Sequence, residues 1–117
     1  MCVVDDDQSI RESLPDLLNE FGYQSRTFAS ASEFLKSGDL DGIGCLILDI
    51  AMPGMSGIQL QAELKRRRKT IPIIFITATK DATVRSRVID LGATACLTKP
   101  FSDAVLLESL RSAARST

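Results

Sequence analysis

Short, almost wholly apolar runs alternate along this chain with stretches in which apolar residues recur every three or four positions. The runs Cys2 to Val4, Gln24 to Phe28, Gly44 to Asp49, Ile73 to Thr77 and Ala95 to Thr98 are short and predict strands. Between them Ile10, Leu14, Leu17, Leu18 and Phe21 recur at helical spacing, as do Ile58, Leu60 and Leu64, and then Val84, Val88 and Leu91. Ser30 or Ser32 is placed to cap a short second helix ending at Leu35 or Lys36, and Ser56 to cap the third. Ser102 and Asp103 can start a fifth, with Val105, Leu106 and Leu110 on its inner face. Gly22 and Gly92 stand where helices should stop. Pro15 predicts a kink in the first helix, because it has no N–H to give to the preceding turn.

The run Cys45-Leu46-Ile47-Leu48 shows no polar alternation, the mark of a strand buried on both faces. Five strands with helices between them predict an α/β domain, its parallel sheet covered by helices on each side. All strands of such a sheet end along one edge, and ligands bind in the crevice there.

Composition narrows what that crevice can serve. The 117 residues, 44% hydrophobic and 25% charged, are enough for one core and too few for two, so residues 1–117 are expected to form one domain, with no output domain in the chain. A net charge of -1 gives no general attraction to nucleic acid or anionic lipid, and neither is expected as a direct partner. The basic run Lys65-Arg66-Arg67-Arg68-Lys69 closes a helix, where cations complement the dipole, and has no interleaved aromatics; it reads as a solvated helix end. Cys2, Cys45 and Cys96 lie in separate apolar segments and there is no histidine, which excludes a Cys/His zinc cluster. They read as reduced, buried, small hydrophobes of a cytoplasmic protein. No apolar run approaches the roughly 20 residues needed to span a bilayer, and the first residues resemble a strand more than a signal peptide.

Four groups of residues fall at the carboxyl ends of the predicted strands. Asp5, Asp6 and Asp7 follow the first, Asp49 ends the third, Thr77-Ala78-Thr79 ends the fourth, and Lys99-Pro100-Phe101 follows the fifth. Taken alone, an Asp triplet is a solvated turn or helix cap, Thr77 a β-former and Lys99 a surface charge; their convergence on one crevice is what changes the reading. Several carboxylates at close quarters repel unless one is protonated or a cation sits among them. Mg²⁺ suits such a set, since it takes carboxylates, a backbone carbonyl and waters and leaves positions open for phosphate oxygens. Lys99 adds a point charge and Thr77 a hydrogen bond for an incoming anion, while Asp49 can act as a nucleophile toward phosphorus.

These residues resemble a known family. Val3-Val4-Asp5-Asp6-Asp7, Leu48-Asp49-Ile50-Ala51-Met52-Pro53-Gly54-Met55-Ser56-Gly57, Ile76-Thr77-Ala78 and Lys99-Pro100-Phe101 are similar, in order and spacing, to the receiver domain of two-component response regulators. The resemblance implies a flavodoxin-like doubly wound (βα)5 fold with strand order 2-1-3-4-5. It implies Asp49 as phosphoacceptor for a sensor histidine kinase, Mg²⁺ held by Asp5, Asp6, Asp49 and the backbone carbonyl of Ala51, Thr77 as the switch hydroxyl, Lys99 as partner of the phosphoryl group, and a cis Lys99–Pro100 bond. It implies no classical enzyme, only self-catalysed phosphorylation and dephosphorylation. The effector would be a surface of the fourth helix, fifth strand and fifth helix that governs homodimerisation or a DNA-binding output domain. The stretch Arg26 to Leu35 and the helix after Ser56 are most similar to regulators with a helix-turn-helix output.

One position departs from the family. The strand-five site three residues before the lysine, commonly Tyr or Phe, is Cys96, so an aromatic ring cannot couple to Thr77, and the space left if Thr77 moves inward is filled by water or by movement of the loop around Thr79 to Ala82. Cys96 as plain packing is the simpler reading, and an apolar strand offers no cation to make it a redox sensor. Two other classes fit the residues less well. A haloacid dehalogenase-type phosphatase needs a second Asp two residues after the nucleophile, where Ala51 stands. A receiver-like module that takes no phosphate usually lacks an acid or the lysine, and all are present. Ala51 and Thr79 flank the site with short side chains that leave water an open approach.

Overall fold

The computed structural model describes residues 1–38, 40–78 and 81–115. Five strands alternate with five helices: β1 (Cys2–Val4), α1 (Gln8–Glu20), β2 (Arg26–Phe28), α2 (Ala31–Lys36), β3 (Leu46–Asp49), α3 (Gly57–Arg66), β4 (Ile73–Thr77), α4 (Ala82–Asp90), β5 (Ala95–Thr98) and α5 (Asp103–Arg115). All pairings are parallel and the sheet order is β2-β1-β3-β4-β5, the doubly wound arrangement expected. Among the described residues no helix is long and apolar enough to cross a membrane.

Side chains along each strand alternate between two cores. Cys2, Val4, Leu46, Leu48, Phe75 and Cys96 meet Phe34, Leu60, Leu64 and Val88 of α2, α3 and α4. Val3, Ile47, Ile74, Ile76 and Leu97 meet Leu14, Leu18, Leu106 and Leu110 of α1 and α5 on the other side. Because β3 and β4 are buried at every position, they carry apolar residues on both faces.

Local chemistry sets the helix starts. Asp7 Oδ1 accepts from Ser9 N at 2.9 Å, Ser30 Oγ from Glu33 N at 3.1 Å, Asp81 Oδ1 from Thr83 N at 2.9 Å and Ser102 Oγ from Val105 N at 3.1 Å. Ser56 and Gln59 form a reciprocal capping box at α3. Gly22 and Gly92, at φ 90° and 105°, end α1 and α4 in the left-handed region that favours glycine.

The α1 helix contains Pro15. Two expectations are corrected. Val105 is 47% exposed and does not lie on the inner face of α5, where Leu106 and Leu110 are buried. Finally, β2 starts at Arg26 and β3 at Leu46, two residues later in each case than the apolar runs suggest.

Candidate functional site

The β1–α1 turn, the end of β3 and the residues after β5 meet at one end of the sheet. Register puts Val4 beside Leu48 and Asp49 beside Ile76, so Asp5, Asp49 and Thr77 leave adjacent strands at neighbouring levels. One carboxylate oxygen from each of Asp5, Asp6 and Asp49 lies within 4.8 Å of the others. Asp5 and Asp49 are buried and Asp6 is exposed. Lys99 Nζ donates to Asp5 Oδ2 at 3.0 Å and stands 3.9 Å from Asp49 Oδ2. The Lys99–Pro100 bond is cis, and Lys99 N donates to the Thr77 carbonyl at 2.7 Å.

The three acids after β1 have separate tasks. Asp7 caps α1, as the simpler reading of an Asp triplet would have it, while Asp5 and Asp6 turn toward Asp49. The main chain fixes Asp5: its N–H donates to the Phe28 carbonyl at 3.1 Å, and its Oδ1 accepts from Asp7 N at 2.8 Å. Arg11, a residue the sequence pattern did not single out, donates from Nη1 to the Asp5 carbonyl at 2.8 Å.

Electrostatics follow from this crowding. Burial, and next the negative charge of Asp5, push the Asp49 carboxyl up to about 7, against the opposing pull of Lys99. A cluster of hard oxygen donors from Asp5, Asp6 and Asp49, with the Asp49 carboxyl raised first by burial and next by the charge of Asp5, is a fit for a divalent cation such as Mg²⁺.

The turn after Asp49 brings α3 close. Gly57 N donates to the Ile50 carbonyl at 2.8 Å, and a Cβ on Gly57 would fall on the Asp49 carbonyl. Ala51 is exposed in this turn, and Thr77 is buried at the end of β4. Thr79 lies outside the described residues. Cys96 is buried, pairs in register with Phe75, and has its thiol pushed up by burial, which outweighs the charge of Arg85. At the far end of α3, Glu63 accepts from Arg66 and Arg67, which hold its carboxyl down at about 2, and Lys69 pairs with Asp41. The basic run is to that extent a solvated, internally paired helix end.

The profile of the family described as "Response regulator receiver domain" matches residues 1–111. This chain belongs to that family. Among curated proteins, the receiver is 40% identical over 111 residues to the response regulator protein TodT of Pseudomonas putida, covering 95% of this chain and 49% of that protein. It is equally similar, 40% over 111 residues and with the same coverage, to the transcriptional regulatory protein TdiR of Thauera aromatica. A solved structure of the response regulator StyR superposes with a TM-score of 0.91 at 43% identity, covering 98% of this chain and 58% of that one. The receiver thus spans about half the length of the curated relatives it matches. Two-component phosphorelay signalling and transcription regulation fit the family and the names of these relatives.

Proposed function

We propose that Asp49 is the phosphoacceptor of this receiver, taking the phosphoryl group from the phosphohistidine of a sensor kinase. The observation that carries this reading is the convergence of Asp5, Asp6 and Asp49 within 4.8 Å, with the Lys99 ammonium 3.0 Å from Asp5 and 3.9 Å from Asp49. An ionised Asp49 oxygen attacks phosphorus, forming the O–P bond of an acyl phosphate while the N–P bond to the histidine breaks and the imidazole leaves. Lys99 then has a new oxyanion within reach and exchanges part of its pairing with Asp5 for it. The hydroxyl of Thr77 serves as hydrogen-bond donor to the same group. Asp5, Asp6, Asp49 and the Ala51 carbonyl would hold Mg²⁺, which when bound neutralises charge on the transferring group. The domain is a signalling module rather than a classical enzyme, its own side chains catalysing only the gain and loss of its phosphate, and we place it in the cytoplasm with its kinase.

The output reading rests on α4, β5 and α5. Ile89 at 41%, Leu91 at 39% and Val105 at 47% exposure are the large apolar side chains left open among the described residues, and they belong to α4, its C-terminal turn and α5. This surface would govern a phosphorylation-dependent homodimer or a helix-turn-helix output domain.

The test supplies acetyl phosphate and Mg²⁺ to the wild type and to Asp49→Asn. Intact mass should show one phosphate on the wild type, removed by hydroxylamine as an acyl phosphate is, and none on the variant. Phosphate retained by Asp49→Asn would put the nucleophile elsewhere.

A further inference from the structure

The acids of the site differ in how firmly they are held. Asp5 is tied through its N–H, both carboxylate oxygens and its carbonyl. Asp6 is exposed, and its carboxylate lies within 4.8 Å of those of Asp5 and Asp49. The direction in which Asp6 leaves the chain depends on the peptide plane that precedes it, because the Asp5 carbonyl and the Asp6 N–H belong to one rigid unit. The oxygen of that plane is the atom that the Arg11 guanidinium grips at 2.8 Å.

We infer that Arg11 is a positioning residue for the acidic site: by fixing the Asp5–Asp6 peptide it sets the direction in which Asp6 leaves the chain, and so preorganises the carboxylates for a divalent cation. Helical side chains lean toward the helix N-terminus, so a residue in the second turn of α1 can reach back to the turn before it. Only a long side chain spans the six residues from position 11 to position 5. Arginine also keeps its charge at every pH and adds a second cation, beside Lys99, to a site with three carboxylates. A merely structural contact would stabilise the fold in the same measure with and without metal. A positioning residue must act on the metal's affinity.

This inference rests on the metal-site reading above, and the experiment separates the two. Mg²⁺ is titrated against melting temperature for the wild type, Asp6→Ala, Arg11→Met and Arg11→Lys, each checked for native circular dichroism. Arg11→Met should bind Mg²⁺ at least about tenfold more weakly, the usual cost of removing a group that orients a ligand. Arg11→Lys should recover part of the loss. At saturating Mg²⁺, phosphorylation of Arg11→Met by acetyl phosphate should return close to the wild-type rate, because the defect is in holding the cation. Wild-type affinity in Arg11→Met, or equal weakness in Arg11→Met and Arg11→Lys, overturns the assignment. If the wild type does not respond to Mg²⁺, or Asp6→Ala responds as the wild type does, the metal-site reading itself fails and takes this one with it. Should Arg11→Met fail to fold, Arg11→Gln replaces it with the same outcomes.

Discussion

Under the proposed function Asp49 carries two demands that conflict. The proposed nucleophile has to be ionised, yet burial and the charge of Asp5 raise its carboxyl from 3.8 to about 7. In the metal-free protein, the folded state therefore keeps a proton between about pH 4 and 7 that the unfolded chain has already released. Stability from this group is complete below the unfolded value and is lost as pH rises through the folded one. In EDTA the wild type should melt at a higher temperature at pH 5 than at pH 8, and Asp49→Asn, which cannot titrate there, should show a smaller difference between the two. Parallel melting curves for the two proteins would assign the retained proton to another group. That Asp49 is a strand-end carboxylate is visible in the sequence, since Pro53 and Gly54 follow a buried run. Its displaced titration is not, because that depends on Asp5 and Lys99, themselves 94 residues apart and joined only by the fold.

At the scale of elements, legibility follows burial. The strands β3 and β4, buried at each position, announce themselves as unbroken apolar runs. By contrast β2 lies at the sheet's edge, with Arg26 and Thr27 exposed, so its start is blurred. Val105 is apolar but stands one residue before Leu106, about 100° round the helix from the stripe of Leu106, Leu110 and Ala113, and so points outward. Gly57 and Arg11 were missed as actors because each works through a backbone carbonyl, of Asp49 and Asp5, that no side-chain pattern encodes. The close approach of α3 to β3 makes a definite demand. Gly57→Ala must push the start of α3 away from the Asp49 carbonyl, at a cost of about 1–3 kcal/mol, as other overpacking substitutions show. Urea unfolding should register that loss, with slower phosphorylation of Asp49 by acetyl phosphate as the turn shifts. An unchanged midpoint would mean that the β3–α3 turn yields freely.

Over the whole molecule, the proposed function requires a change at Asp49 to reach α4 and α5, and Cys96 stands on β5, the strand next to β4. It is buried under α4, in register with Phe75 and in one core with Val88 and Leu60. Where the family commonly has a ring, this receiver has a thiol, and the aromatic neighbour across the sheet is Phe75 of β4. A thiol has little volume to exchange if Thr77 moves inward, and an unfilled methyl-sized void costs on the order of 1 kcal/mol. The cheaper response is displacement of α4, the element that bears exposed Ile89 and ends at exposed Leu91. Activation by beryllium fluoride and Mg²⁺ should therefore tighten self-association through the α4–β5–α5 face. Cys96→Tyr adds a ring to a site only 2% exposed, which overpacks the resting form by about 1–3 kcal/mol. The variant should melt lower without the activator and show a changed ratio of dimer affinities with and without it, as read by sedimentation equilibrium. If wild type and Cys96→Tyr give the same ratio, position 96 has no part in transmission and this cysteine serves packing alone.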